Sequence, residues 1–277
     1  MPTTLSDACS MLADAGTAGR VMAGGTDLLV DWPQRAHEHD DTIWIDLSRV
    51  TPLRRITCAD HVLRLGALTT YWDVVQSEQA AEAFPLLKQA ARVVGSLQIQ
   101  TRGTWAGNIM NGSPAADGVL ALMAYDTTIE LRSTAGVRRV SLDTFYTGYR
   151  STVARADEIL ESIVLRRHRY RIQYFEKIGT RQAQAITKVG LALTQDSADH
   201  SWRVVMNSMA PTVTRCPALE GVLSAQQPMA GPDAWLPIID ADVSPIDDLR
   251  STSRYRRVVA ARLLHSALAD RCDWIGQ

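Results

Sequence analysis

The chain has 277 residues, of which 46% are hydrophobic and 21% charged, and its formal net charge is −1. That length and composition suit one large domain or two to three lobes built on a real core. The near-neutral balance predicts no nucleic-acid footprint, which would need a basic patch, and no apolar run approaches the roughly 18–20 residues that span a bilayer.

The N-terminal stretch MPTTLSDACSMLADAG carries Asp7 and no Lys or Arg before Arg20, so it does not read as a secretory signal. Leu5, Ala8, Cys9 and Leu12 fall at helical spacing and predict an amphipathic helix over 3–15, with Thr3 or Thr4 as cap and Gly16 as stop. RVMAGG reads as a short strand ending in a glycine pair. TDLLVDW restarts a helix with Thr26 at its N-cap, and TIWIDLS (42–48) is a second strand. Together they form a β-α-β unit.

LRRITC and VLRLGALT alternate apolar with polar around ADH and predict a hairpin. Residues 71–79 and 84–94 read as helices. Residues 101–118, TRGTWAGNIMNGSPAADG, read as a glycine-rich polar loop that runs into a helix near 115–125. TTIELRS and VRRVSL predict another hairpin, and DEILESIVL (157–165) a strand. From about 168 the character changes. RYRIQYFEKIG, ITKVGLALTQ and WRVVMNSMA predict a three-stranded meander. Residues 217–277 read as mainly helical, with a Pro-rich loop at 227–245 and a final helix near 254–270. The expected lobes are 1–50, 51–167 and 168–277.

Three stretches carry candidate chemistry. In AGGTDLL (23–29) a strand enters two glycines and then a helix start, where backbone N–H groups favour an anion. It is neither a P-loop nor the GxGxxG fingerprint. The 101–118 loop offers the same physics, so two such loops can grip two ends of one diphosphate. The third stretch, FEKIGTRQAQAITKV (175–189), holds Lys177, Arg181 and Lys188. Only one further lysine, Lys88, exists among 29 basic residues. A lysine kept in so arginine-rich a chain is a candidate for a role that needs a compact ammonium.

Other features offer little. Cys9, Cys58, Cys216 and Cys272 are far apart with no CxxC, so no iron–sulfur or zinc site is expected within this chain. Scattered thiols fit a reducing cytoplasm. HEHDD (37–41) has metal-like residues but reads as a charged loop. The remaining histidines show no paired spacing, and no Ser-His-Asp or Cys-His arrangement is present. Trp32 and Trp274 are candidate partner anchors.

AGGTDLL, then TRGTWAGNIMNGSPAAD, then KxxxRxxxxxxKVG, in this order and spacing, resemble the FAD-binding (medium) subunit of the molybdenum hydroxylases, the xanthine dehydrogenase and carbon monoxide dehydrogenase family. The resemblance covers nearly the whole chain. It implies an α+β (mixed α/β) protein. Two subdomains would form an FAD-binding fold of the PCMH/vanillyl-alcohol-oxidase type, followed by a C-terminal lobe of three-stranded antiparallel sheet and helix bundle.

The resemblance also implies FAD as cofactor. Met22, Ala23, Gly24, Gly25 and Thr26 would hold its diphosphate side. Gly95, Thr104, Gly107, Asn108 and Asn111 would line the second loop. Asp117 would sit against the cofactor, Leu160 and Lys177 near the flavin ring, with Arg181 and Lys188 as supporting charge. No catalytic side chain is implied, because the flavin carries the chemistry. The molybdenum cofactor and [2Fe-2S] clusters would lie on partners, a molybdenum-cofactor large subunit and an iron–sulfur small subunit, with NAD+ or another acceptor taking the electrons.

Two positions depart from the family pattern. Ala106 stands where a glycine is usual, and Ala185 where an aspartate is frequent. A left-handed backbone at Ala106 would cost roughly 1–2 kcal/mol. These departures motivate an alternative, a scaffold subunit that keeps the fold without FAD. A stand-alone flavin oxidase is a third reading, disfavoured by the lack of a His for covalent attachment and of a substrate domain.

Overall fold

The computed structural model describes residues 1–30, 41–59, 61–182 and 184–275. Helix α1 (Leu5–Ala15) starts where the Thr4 hydroxyl accepts from the Asp7 amide, ends at Gly16, and buries Ala8, Cys9 and Leu12. Strand β1 (Gly19–Met22) pairs in parallel with β2 (Ile43–Asp46), in register from Gly19 opposite Ile43 to Met22 opposite Asp46. Parallel neighbours require a crossover. Its first helical residues are 28–30, and the remainder of the expected TDLLVDW helix, with Trp32, lies outside the described residues.

A hairpin, β3 (Ile56–Ala59) and β4 (Val62–Gly66), leads to a run of short helices. These are α2 (Tyr71–Gln76), α3 (Glu78–Ala83), α4 (Pro85–Val93), α5 (Leu97–Gln100), α6 (Trp105–Asn111) and α7 (Asp117–Met123). The single helix expected over 71–79 is divided at Ser77, whose hydroxyl caps α3 by accepting from the Ala80 amide. Strands β5 (Thr128–Ser133) and β6 (Gly136–Ser141), a small β7 (Tyr146–Gly148) and β8 (Ser151–Thr152) pair, and β9 (Ile159–Arg166) follow. The main sheet of this half has the order β3-β4-β9-β5-β6.

The stretch expected as a loop over 101–118 contains α6, which corrects that expectation. The Thr104 hydroxyl accepts from the Gly107 amide at 3.0 Å, Trp105, Ala106 and Ile109 are buried, and Gly112 at φ +62° ends the helix. Glycine and asparagine are poor helix formers, so propensity hid a helix that capping and packing impose.

The C-terminal half opens with β10 (Tyr170–Ile178), β11 (Val189–Asp196) and β12 (Trp202–Asn207). A short fourth strand, β13 (Thr214–Arg215), joins the expected three. Helices α8 (Pro217–Ser224), α9 (Leu236–Asp242) and α10 (Ser253–Ala269) complete it. The expected loop over 227–245 therefore contains a helix, started by Pro237 in its first turn, where proline is at home, and anchored by fully buried Trp235.

Two hydrophobic cores meet across β11. Leu191 and Leu193 face the second core with Val204, Met206 and Leu264, while Ala192 faces the first with Val205. Side chains alternate along a strand, so a strand covered on both faces reads as the unbroken run VGLAL.

Candidate functional site

The site is built where the end of β1 meets the start of α6. Beyond Met22 the backbone turns through Ala23, Gly24 and Gly25, with Gly25 at φ +73°. Among the described residues, the amides of Ala23, Gly24, Gly25 and Thr26 donate no hydrogen bond. A row of unengaged N–H groups on a glycine turn is a concavity suited to an anion.

The second loop lies directly against the first. A Cβ on Gly24 would overlap the carbonyl oxygen of Arg102, and a Cβ on Gly103 would come 3.4 Å from the Thr26 hydroxyl. The Thr101–Thr104 turn is fixed from behind. The Gly103 carbonyl accepts from the Tyr71 amide at 3.2 Å, and the Trp105 amide donates to the Thr69 carbonyl at 3.2 Å. The Tyr71 and Trp105 rings pack in a tilted arrangement with their centres 5.0 Å apart. On α6, Gly107 and Met110 are exposed, and Asn108 and Asn111 half-buried; Thr104 is buried as the cap. The Asn108 Oδ1 is buried without a hydrogen-bond partner and faces Gly118. Burial, and then the Asp117 carboxylate, push the Tyr71 phenol well up, so it stays neutral.

Asp117 opens α7 and is the centre of a buried polar cluster. Its Oδ2 accepts from the Lys177 ammonium at 2.6 Å. Its Oδ1 accepts from the Thr187 hydroxyl at 2.5 Å and the Asn207 amide at 3.1 Å. Lys177 also donates to the Val93 carbonyl at 2.9 Å, two residues before Gly95. Its charge is therefore matched by Asp117, with side chains only 9% and 7% exposed respectively. A cavity of about 350 Å³ lies beside it, lined by Gln89, Val93, Phe175, Glu176, Lys177 and Gln182.

The structure thus brings Gly24 and Thr26 against Arg102 and Gly103, immediately before the Thr104–Asn111 segment, and Asp117 together with Lys177. Other residues singled out in the sequence stand differently. Leu160 pairs with Leu131 inside the main sheet and is 3% exposed, which leaves almost no surface for a ligand. Arg181 is exposed and donates to the Gln184 carbonyl. Lys188 stands 5.4 Å from the ring centre of Tyr255 on α10. Ala106 is a regular helical residue, 4% exposed, and is absent from the left-handed positions, so the strain expected there does not arise.

Thr187 and Asn207 escaped the sequence reading. Asn207 carried a signal, a lone amide at the end of the apolar strand WRVVMN. Thr187 carried none beside Lys188. Among the described residues no group of His, Cys, Asp and Glu is arranged to hold a metal, and most of HEHDD lies outside them. The cysteines are free. Among the described residues no helix is long and apolar enough to cross a membrane.

Residues 1–165 match the family described as FAD binding domain in molybdopterin dehydrogenase, and 174–270 match the CO dehydrogenase flavoprotein C-terminal domain. The chain belongs to this family of FAD-binding oxidoreductase subunits. It is 31% identical over 267 residues to the xanthine dehydrogenase FAD-binding subunit of Escherichia coli O157:H7, covering 91% of this chain and 88% of that one. It is 28% identical to the nicotinate dehydrogenase FAD-subunit of Eubacterium barkeri, over 98% of this chain and 95% of the other. Its fold superposes on the carbon monoxide dehydrogenase of Hydrogenophaga pseudoflava that lacks the Mo-pyranopterin moiety. The TM-score is 0.85 at 25% identity, covering 98% of this chain and 96% of that one.

The residues present fit FAD. A dinucleotide diphosphate needs several donors and close backbone approach. The Ala23–Thr26 turn supplies unengaged amides, and Gly24 and Gly103 keep Cβ atoms out of the junction between the loops.

Proposed function

We propose that this chain is the electron-transfer flavoprotein subunit of a xanthine-dehydrogenase-like molybdenum hydroxylase. In this reading it takes electrons from an iron–sulfur small subunit and passes them to NAD+ or another acceptor, in the cytoplasm. A large subunit with the molybdenum cofactor oxidises the substrate. Bound FAD supplies the exchange between single-electron and two-electron transfer.

The observation that carries the reading is the direct backbone packing of the two glycine loops, beside unengaged amides at Ala23–Thr26. In this reading Met22–Thr26 hold the diphosphate by N–H groups rather than by side-chain charge. Thr104 orients α6 as its cap, so that Gly107, Asn108 and Asn111 face the cofactor, and the turn at Gly95 borders it. Asp117 and Lys177 bound the site as a charge-matched pair, which supports a role in shaping the pocket more than in supplying net positive charge. Leu160 contributes as packing behind the site. Arg181 and Lys188 stand as outlying charges. The cavity beside Lys177 and Gln182 is the candidate approach for the acceptor. The expected lobes, 1–50 and 51–167 for the cofactor and 168–277 closing over it, follow the same reading.

The test is the visible absorption spectrum of the purified chain, with release and identification of the bound cofactor, followed by co-purification with its partners. Stoichiometric FAD supports the proposal. A colourless chain that also refuses added FAD would instead support the scaffold alternative, whose motive at Ala106 is weakened by that residue's ordinary helical setting.

A further inference from the structure

We propose that Thr187 and Asn207 are positioning residues for the cofactor site, acting through Asp117 on the second glycine loop. The proposal rests on the FAD reading given above.

Asp117 directly follows the loop, at the first position of α7. Both of its oxygens are committed to the C-terminal half. Lys177 on β10 takes Oδ2, while Thr187 before β11 and Asn207 at the end of β12 share Oδ1. Thr187 and Asn207 are 1% and 0% exposed, so neither reaches a ligand in the cleft. The contact toward the cleft that their two side chains share is the Asp117 carboxylate.

A second tie grips the other end of the same short segment. The Ser208 amide donates to the Pro114 carbonyl at 2.7 Å, and the Ser208 hydroxyl donates to the Thr187 carbonyl at 2.9 Å. Arg256 on α10 donates to the carbonyls of Lys188 and Ser208 at 2.7 and 2.8 Å. Thus the segment from Pro114 to Asp117 is held at both ends by one end of the C-terminal sheet, where β10, β11 and β12 meet it. A cleft set to within a fraction of an ångström needs this kind of support behind it.

The side-chain chemistry separates positioning from plain packing. Thr187→Val keeps the shape and removes the donor, whereas Thr187→Ser keeps the donor and removes a methyl group. If the hydroxyl positions Asp117, valine is the damaging change and serine rescues. If the site is only packed, the order reverses.

The experiment titrates the full-length FAD-free chain with FAD and follows flavin fluorescence, with thermal unfolding of the FAD-free protein alongside. Thr187→Val and Asn207→Leu are each expected to raise the FAD dissociation constant about tenfold, the scale of one hydrogen bond to a charged group. Thr187→Ser should bind close to wild type. In an Asp117→Asn background Thr187→Val should add little, because the two act through one contact. Equal binding by the valine and serine variants, or a greater loss with serine, overturns the proposal. A wild-type chain that takes up no FAD overturns the functional reading and this inference together.

Discussion

Gly24 lies directly against the carbonyl of Arg102, so that a Cβ on Gly24 would overlap the oxygen. At this point the first glycine loop therefore rests on the second backbone to backbone, although the two are far apart in sequence. Gly24→Ala must push the loops apart. It should weaken FAD binding by at least about tenfold, or about 1.4 kcal/mol. Gly148→Ala is the control, since nothing lies within 4 Å of a Cβ there. FAD titration of both variants is the measurement, and equal affinities would show that the loop contact does not set the site.

Ala106→Gly tests whether the glycine usual at that position serves backbone strain. Ala106 sits inside α6 with ordinary helical geometry and is 4% exposed. Glycine there should lower stability by about 0.5–1 kcal/mol through backbone entropy. FAD affinity should not rise. Denaturant unfolding and FAD titration check the two halves, and a clearly tighter cofactor complex in the variant would contradict this account.

The contrast between these positions shows what could be read from the sequence. The strands and the long helices were readable because their apolar spacing matches their period, as in α1 and the β3–β4 hairpin. The two glycine loops were readable as candidate sites because glycines and short polar residues cluster there. The helix hidden in 101–118 was not, since Gly107, Asn108 and Asn111 argue against a helix locally and only the Thr104 cap and the burial of Trp105 and Ile109 enforce it. The partners of Asp117 were not readable either. Thr187 and Asn207 converge on it from separate strands, and nothing local to Thr187 marks that meeting.

Lys177→Met isolates the charge match at the junction of the two halves. With both side chains less than a tenth exposed, removal of the ammonium leaves Asp117 as a buried, partly uncompensated carboxylate. Loss of one partner from such a pair costs about 3–5 kcal/mol, whereas removing both charges costs less. The double variant with Asp117→Asn should therefore recover part of the lost stability. Urea denaturation of the FAD-free chain reads this directly. A double variant less stable than Lys177→Met alone would mean that the carboxylate does not depend on the lysine.

Stability in acid should depend on Glu130. Burial alone would raise its pKa, but hydrogen bonds from Arg64, Ser162 and Arg139 outweigh it and hold the carboxyl at about 2, against an ordinary 4.5. A value depressed by folding means that the folded state resists protonation. The stabilising contribution is then fully present above about 4.5 and is lost as pH falls through about 2. Glu130→Gln should accordingly be less stable than wild type at neutral pH, and the difference should narrow steadily below pH 4.5. Because Arg64 and Arg139 are 40% and 73% exposed, water and salt screen part of this attraction, so raising the ionic strength should also shrink the gap. Urea midpoints at pH 7 and pH 3, each at low and high salt, make the comparison. A gap that stays constant across pH would mean that the three donors stabilise the carboxyl group equally well in its neutral form.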